Sequence, residues 1–342
     1  MAALDAAYLT RIERPLMALN EHMPADPSAA SVPARITGAD AATARRLADY
    51  ARAARGAFAP STERAIRGDT RRFAEWAEAA GHPATLPVPP ETVAAYVDAM
   101  AASLAPATVS RYVASLNHLH RAAGHPVPGS AEVVRLALRR MRRAKGTAQR
   151  QAKGLTRDRL DLALARLDGG PLLHVRDAAL LALAYDTLAR SAELVAFDVA
   201  DLTPDGTGGA TAHIRRSKTD QEGEGRHAYV APDTWRRVKA WIAAADLAEG
   251  DALFSPHGPA STRDRLSTGD VRRIFKRHLG ARYSGHSARV GATQDATAAG
   301  IDVGATAQSG GWKDARMPLR YGAKVAARRS GAARLAHLQG RG

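Results

Sequence analysis

Between residues 139 and 153 the sequence becomes dense in basic residues and nearly empty of apolar ones: Arg139, Arg140, Arg142, Arg143, Lys145, Arg150 and Lys153 fall within it. A packed core cannot run through such a stretch, so the residues on either side must bury apolar surface separately. The glycines at 146 and 154 add linker chemistry. With 342 residues available, this predicts two domains. The expected boundaries are an irregular arm over 1–38, a helical domain over 39–145, a linker over 146–155 and a second domain over 156–342.

The first domain carries helical periodicity throughout. Ser61 is expected to cap a helix containing Ile66, Phe73 and Trp76. Pro90 and Glu91 open another with Val93, Val97 and Met100 on one side. Val109, Val113, Leu116 and Leu119 mark a third, and Ser130 starts a fourth with Val133, Val134, Leu138 and Met141 inside. In the second domain Thr156 opens a helix with Leu160, Leu164 and Leu167 as its stripe, and Val175–Ala189 reads as a buried helix. Short strands are expected at Phe197–Leu202, His213–Arg216 and His227–Val230, with turn chemistry at Asp205-Gly206 and Glu222-Gly223. Helices follow around Val271–Phe275, from Ser287 into Ala299, around Ala305–Gln308 and near the C-terminus. The expected fold class is mainly α: a helical bundle, then a mainly α domain with a small antiparallel sheet.

A hydrophobic content of 45% excludes a disordered chain. A formal charge of +15 and a pI near 10.6 point to a polyanionic partner, nucleic acid first and a membrane surface second. A GC-rich genome, which inflates Ala and Arg, is the bland alternative. The chain has no cysteine, which excludes disulfides and thiolate metal sites. The N-terminus has no apolar core of signal-peptide length, and the most apolar stretch, Ala178–Ala189, is too short to span a bilayer and contains Asp186. A cytoplasmic protein is expected.

Several residues suit chemistry on phosphate. Arg190 precedes Glu193 by three residues, a donor fork for a phosphate oxygen with a carboxylate to hold it; an ordinary intrahelical ion pair has the same spacing. His286 and Arg289 are also three apart, at an expected helix start where backbone N–H groups would meet an anion. A capped helix with an incidental His and Arg looks alike. Lys218 lies in a turn after a strand and is a proton donor if its surroundings tune it; a solvated loop lysine is the alternative, and Arg215 and Arg216 are close competitors. Trp312 follows two glycines and Tyr321 stands nine residues later. A tyrosine hydroxyl attacks phosphorus only once positioned and deprotonated, and both aromatics equally suit a core.

The segments carrying these residues resemble the tyrosine recombinase, or phage integrase, family, and most closely its Cre-type members. Ala184–Glu193 resembles the first arginine box, Gly285–Ala292 the second, and Gly310-Gly311-Trp312 with Tyr321 the third. The helical domain joins in through Ser115–Arg121 and Leu138–Arg143. The resemblance covers the chain from about residue 40 to its end, and residues 1–38 match nothing. It implies a two-domain DNA clamp that cuts and rejoins DNA at paired inverted-repeat sites, through a 3′-phosphotyrosine and a Holliday junction. Tyr321 would be the nucleophile, Arg190 and Arg289 would bind the non-bridging oxygens, and His286 and Trp312 would contact the same phosphate. Lys218 would protonate the leaving 5′-hydroxyl and Glu193 would support the arginines. No metal or cofactor is implied.

For the helical domain, Arg64 and Arg111 near helix starts are candidates for the major groove, with a phosphate contact or a solvated surface arginine as the alternative for each. Arg139, Arg140, Arg142, Arg143 and Lys145 suit phosphates. A terminal amphipathic helix such as Gly331–Leu338, with Leu335 and Leu338 at helical spacing, ordinarily packs on its own domain, whereas the family docks this helix into a neighbouring subunit. That implies a homotetramer on two double-stranded DNA sites and a monomer without DNA, with no membrane partner. Two readings stay open beside it: a DNA-binding protein that keeps the fold without the chemistry, and a type IB topoisomerase or hairpin telomere resolvase.

Overall fold

The computed structural model describes residues 40–148, 151–216, 224–257 and 264–341. The chain divides into two compact units, Met1–Gln149 and Arg150–Gly342.

In the first unit, α1 (Ala41–Ala53), α2 (Pro60–Ala79), α3 (Pro90–Ser103), α4 (Pro106–Ala122) and α5 (Glu132–Lys145) form a bundle. Proline at N1 starts α2, α3 and α4, where its fixed φ suits the first turn and its missing N–H costs nothing. This displaces one sequence expectation. Ser61 does not cap α2: the helix already begins at Pro60, behind the cap residue Ala59. Ser130 likewise does not start α5, because Pro128–Ser130 forms a separate 3₁₀ turn and Ala131 is the cap residue. That register buries Val134, Ala137 and Met141 and turns Val133 out to solvent. The other stripes are as expected: Val93 and Val97 on α3 and Val109, Val113, Leu116 and Leu119 on α4 are buried. They pack around Phe73 and Tyr96, whose rings meet edge to face at 5.2 Å.

In the second unit, α6 (Arg157–Leu167) leads into α7 (Leu172–Thr187). Leu180 to Ala184 are all fully buried, because α6, α9 (Pro232–Ala244), α11 (Gly285–Ala299) and β3 (Arg226–Val230) pack around α7. Burying one leucine stabilises by about 1.5–3 kcal/mol, so α7 is the unit's central post. The sheet is antiparallel in the order β1 (Leu202–Pro204), β2 (Ala210–Ile214), β3. Ile214 pairs with Arg226 at the end from which the β2–β3 connection leaves.

Two strands differ from expectation. Phe197–Leu202 is not a strand: Val199–Asp201 is a 3₁₀ turn, with the Asp198 N–H donating to Asp201 at 2.8 Å. Asp198 makes only an isolated antiparallel bridge, to Ala252, and pairing within the sheet begins at Leu202. β2 spans 210–214 rather than 213–216, since Asp205 closes a tight turn by accepting from the N–H groups of Thr207 and Gly209. Glu222-Gly223 and the arm 1–38 lie outside the described residues.

The remaining helices are α8 (Ser191–Leu194), α10 (Thr268–Leu279), α12 (Val303–Gly310), α13 (Arg316–Ala326) and α14 (Gly331–Leu338). α11 starts at Gly285, two residues before the expected Ser287. Among the described residues no helix is long and apolar enough to cross a membrane.

Candidate active site

α7 ends abruptly. Leu188 adopts a left-handed conformation with φ 49°, which costs a non-glycine residue about 1 kcal/mol. The turn places Arg190 at the N-cap of α8. Glu193 on α8 is buried and accepts two hydrogen bonds from Arg190, from its backbone N–H at 2.9 Å and from Nη1 at 2.5 Å. One carboxylate thus fixes both the backbone and the guanidinium of Arg190, whose side chain stays 25% exposed.

α11 carries His286 and Arg289 one turn apart. The extended segment before α6 crosses this helix, with the Leu155 N–H donating to the Ser287 carbonyl at 2.8 Å. At Gly291 a Cβ would lie 1.8 Å from the Leu155 carbonyl oxygen, so only glycine permits the crossing. Arg289 is buried. Its Nη1 donates to the Leu188 carbonyl and its Nη2 to the Gly310 carbonyl at 2.9 Å.

α12 ends at Gly310, Gly311 caps it with φ 60°, and the chain turns into Trp312. The Arg289 guanidinium sits 4.5 Å from the Trp312 ring centroid, a cation–π contact. From α13, Tyr321 points back to the cluster. Its ring is 5.8 Å from Trp312, and its hydroxyl lies 2.9 Å from His286 Nε2. The Tyr321 carbonyl accepts from the side chains of Gln151 at 3.2 Å and Gln294 at 3.4 Å.

Six of the expected residues, Arg190, Glu193, His286, Arg289, Trp312 and Tyr321, therefore form one cluster drawn from four elements. Lys218 lies outside the described residues. Of its competitors, Arg215 is engaged by Asp198 at 2.7 Å and Asp201 at 3.0 Å. The cluster also contains Arg226, which sequence reasoning missed. It extends the buried face of β3 beyond Ala228 and Val230, and a charged residue at that alternating position was the available signal. Its Nη1 donates to the Ser309 carbonyl at 2.8 Å and its Nη2 to the Thr187 carbonyl at 3.0 Å, with Glu193 3.7 Å away.

The electrostatics are those of a site short of an anion. Three guanidiniums surround one carboxylate. Burial, with Arg190 alongside, lowers the Arg289 pKa to about 10. Burial lowers that of Arg226, opposed by Glu193. His286 is held below the usual imidazole range by desolvation and by Arg289, Arg190 and Arg320, although the residue keeps solvent exposure. Burial raises the Tyr321 phenol, against the pull of Arg289, Arg320 and Arg190. At neutral pH the cluster holds a neutral phenol beside a neutral imidazole and uncompensated cations. An incoming phosphodiester would neutralise those cations. Among the described residues no group of three or more His, Asp or Glu side chains is arranged to hold a metal.

In the helical unit, Arg111 donates to both oxygens of buried Asp69 at 2.6 Å while remaining about half exposed. Arg64 is exposed, with only a 3.4 Å contact to the Pro60 carbonyl. Arg140 pairs with Asp98 at 2.6 Å, Arg142 reaches Ser110 at 3.3 Å and Lys145 the Leu104 carbonyl at 3.0 Å. Arg139, Arg142 and Arg143 line one groove on α5 together with Arg135 and Leu138.

Residues 153–328 match the phage integrase family. Recombinase Cre of Escherichia phage P1 is 30% identical over 292 residues, covering 78% of this chain and 85% of Cre. An integrase/recombinase XerD homologue of Selenomonas ruminantium is 31% identical over 281 residues, covering 77% and 81%. Among solved structures, the XerH recombinase in a post-cleavage complex with palindromic difH has a TM-score of 0.61 at 15% identity, covering 85% of this chain and 88% of that one. A λ integrase fragment bound as a dimer to a COC′ core site has a TM-score of 0.55 at 16% identity, covering 82% and 94%.

Proposed function

This chain belongs to the phage integrase family of tyrosine recombinases, and from that premise we propose that it cuts and rejoins double-stranded DNA at paired inverted-repeat sites. The Tyr321 oxygen attacks the scissile phosphorus, its proton passing to the neutral His286 imidazole 2.9 Å away, forming a tyrosyl 3′-phosphodiester as the bond to the 5′-oxygen breaks. Arg190 and Arg289 bind the non-bridging oxygens and neutralise charge in the transition state, and His286 and Trp312 complete the phosphate pocket. Glu193 aligns Arg190. Lys218 supplies the proton to the leaving 5′-hydroxyl. The phosphotyrosine retains the energy of the phosphodiester, so the reverse attack by a 5′-hydroxyl from the partner site reseals the strand without a nucleotide cofactor. Two rounds of exchange pass through a Holliday junction.

The observation that carries this reading is the Tyr321 hydroxyl held 2.9 Å from His286 beside the Arg289–Trp312 stack. In the helical unit, Arg64 and Arg111 read base edges in the major groove and Arg139, Arg140, Arg142 and Arg143 contact phosphates. The partner is thus a recombination site, occupied by a homotetramer across two sites. Exposed Leu335 and Leu338 on α14 suit docking onto a neighbouring protomer, and the chain is a monomer without DNA. The test uses fragments of the native locus, nicked near candidate inverted repeats so that cleavage is trapped. A covalent protein–DNA band on a denaturing gel with wild type, absent with Tyr321→Phe, is expected. A clear gel shift without any adduct would favour a binding protein that has kept only the fold. Relaxation of plasmids without sequence preference, or hairpin ends, would point to a topoisomerase or a telomere resolvase.

A further inference from the structure

Arg226 and Arg289 make the same bridge twice. Arg289 donates to the carbonyls of Leu188 and Gly310. Arg226 donates to those of Thr187 and Ser309, one residue earlier in each turn. The first turn delivers Arg190 and the second delivers Trp312. Arg226 also stands 3.7 Å from the carboxylate that aligns Arg190. Its stem passes through space that only a glycine leaves open: a Cβ on Gly311 would lie 2.8 Å from Arg226 Cδ and Nε, and Gly311 is left-handed besides.

We propose that Arg226 is a positioning residue of the cleavage reaction: a second strut that holds the Arg190 turn and the Trp312 turn at fixed separation. This rests on the phosphate pocket described above. The physical case is one of divided labour. A guanidinium has five donors, and Arg289 uses some of its own on the two turns. If Arg289 alone held them, engaging a phosphate would compete with holding the pocket together. Arg226, anchored on β3, keeps the turns in place while the remaining donors of Arg289 go to the non-bridging oxygens. Only a planar fork can reach two carbonyls and face a carboxylate at once, so a lysine cannot replace it.

The test compares wild type with Arg226→Lys and, from the opposite side of the same contact, Gly311→Ala, in single-turnover cleavage of a nicked site. Folding is followed by thermal unfolding and DNA affinity by gel shift. Both variants are expected to bind DNA within about 3-fold of wild type, since direct phosphate contacts are unchanged, and to form adduct at least about 30-fold more slowly, because misplacement of about 1 Å costs on the order of 100-fold. A second substrate carries sulfur as the bridging 5′ atom, a leaving group that needs no proton. It is expected to leave the defect in place, because the fault lies at the phosphate rather than at the leaving group. Cleavage of the ordinary site by Arg226→Lys at the wild-type rate would overturn the proposal, as would full restoration by sulfur. Failure of both variants to fold would assign Arg226 to the fold alone and equally overturn it. Failure of wild type itself to form adduct would instead sink the functional reading beneath it.

Discussion

Replacing Glu193 by Gln separates the site's electrostatics from its shape. The side chains are nearly isosteric, but Gln removes the one carboxylate facing Arg190 and Arg226 and turns an acceptor into a donor. Glu193 is buried and holds Arg190 through bonds of 2.9 and 2.5 Å. Removing one partner of a buried ion pair costs about 3–5 kcal/mol. The Arg190 side chain is 25% exposed, so water recovers part of that loss, and about 2–3 kcal/mol is expected. For a unit the size of Arg150–Gly342, each kcal/mol moves the melting point by about 2–4 °C. Glu193→Gln should therefore lower Tm by about 4–12 °C without DNA. Bound DNA should narrow that gap, because a phosphodiester returns negative charge to the same guanidiniums. The assay is differential scanning calorimetry with and without a target site, beside single-turnover cleavage, which should slow because Arg190 loses its alignment. A Tm within about 1 °C of wild type, or a deficit that grows when DNA binds, would refute the reasoning.

Three further outcomes are expected. His120 in the helical unit is fully buried, accepts the Val88 N–H through Nε2 at 2.9 Å and meets the Leu116 carbonyl through Nδ1 at 2.7 Å, so it must be neutral there. Its folded pKa is depressed, chiefly by burial, so that unit should hold its stability above the unfolded imidazole pKa of about 6.5 and lose it as pH falls below that value. Urea unfolding at several pH values checks this, with His120→Gln reducing the dependence and leaving the share of His118, whose pKa burial also lowers. Gly291→Ala drives a Cβ into the Leu155 carbonyl at 1.8 Å and should cost the second unit at least about 3 kcal/mol, read as a lower Tm or insoluble protein. Arg143→Ala should weaken DNA binding uniformly across sequences and reduce the slope of log affinity against log salt by about 0.9, read from a salt titration.

What could be read from the chain divides along the range of the interactions involved. The stripes of α3, α4 and α6 were legible because one face of a helix must be apolar wherever the helix packs. Ser61 and Ser130 misled because a serine suits a cap only if nothing nearer starts the helix, and Pro60 and the Pro128 turn did so first. Phe197–Leu202 has strand composition, yet Asp198 and Asp201 cap each other across a 3₁₀ turn, and both carboxylates are held by ion pairs, Asp198 to Arg215 and Arg265 and Asp201 to Arg215. Those partners are distant in sequence and left no local mark. Arg226 escaped for the same reason: its meaning lies in two carbonyls from other elements, and backbone carbonyls carry no residue-type signal. The cluster of Tyr321, His286, Arg289, Trp312, Arg190 and Glu193 was legible through order and spacing along the chain. The direction in which Arg289 faces, onto Trp312 and two carbonyls, emerged only from the fold.

The central claim is that Tyr321 becomes covalently joined to DNA. The most direct measurement is to trap the adduct on a nicked site, digest protein and DNA, and identify the modified peptide and the DNA end by mass spectrometry. The account predicts a 3′-phosphate esterified to Tyr321, with a 5′-hydroxyl on the released strand. Attachment through another residue such as Tyr185 or Tyr283, or through a 5′-phosphate, would contradict it.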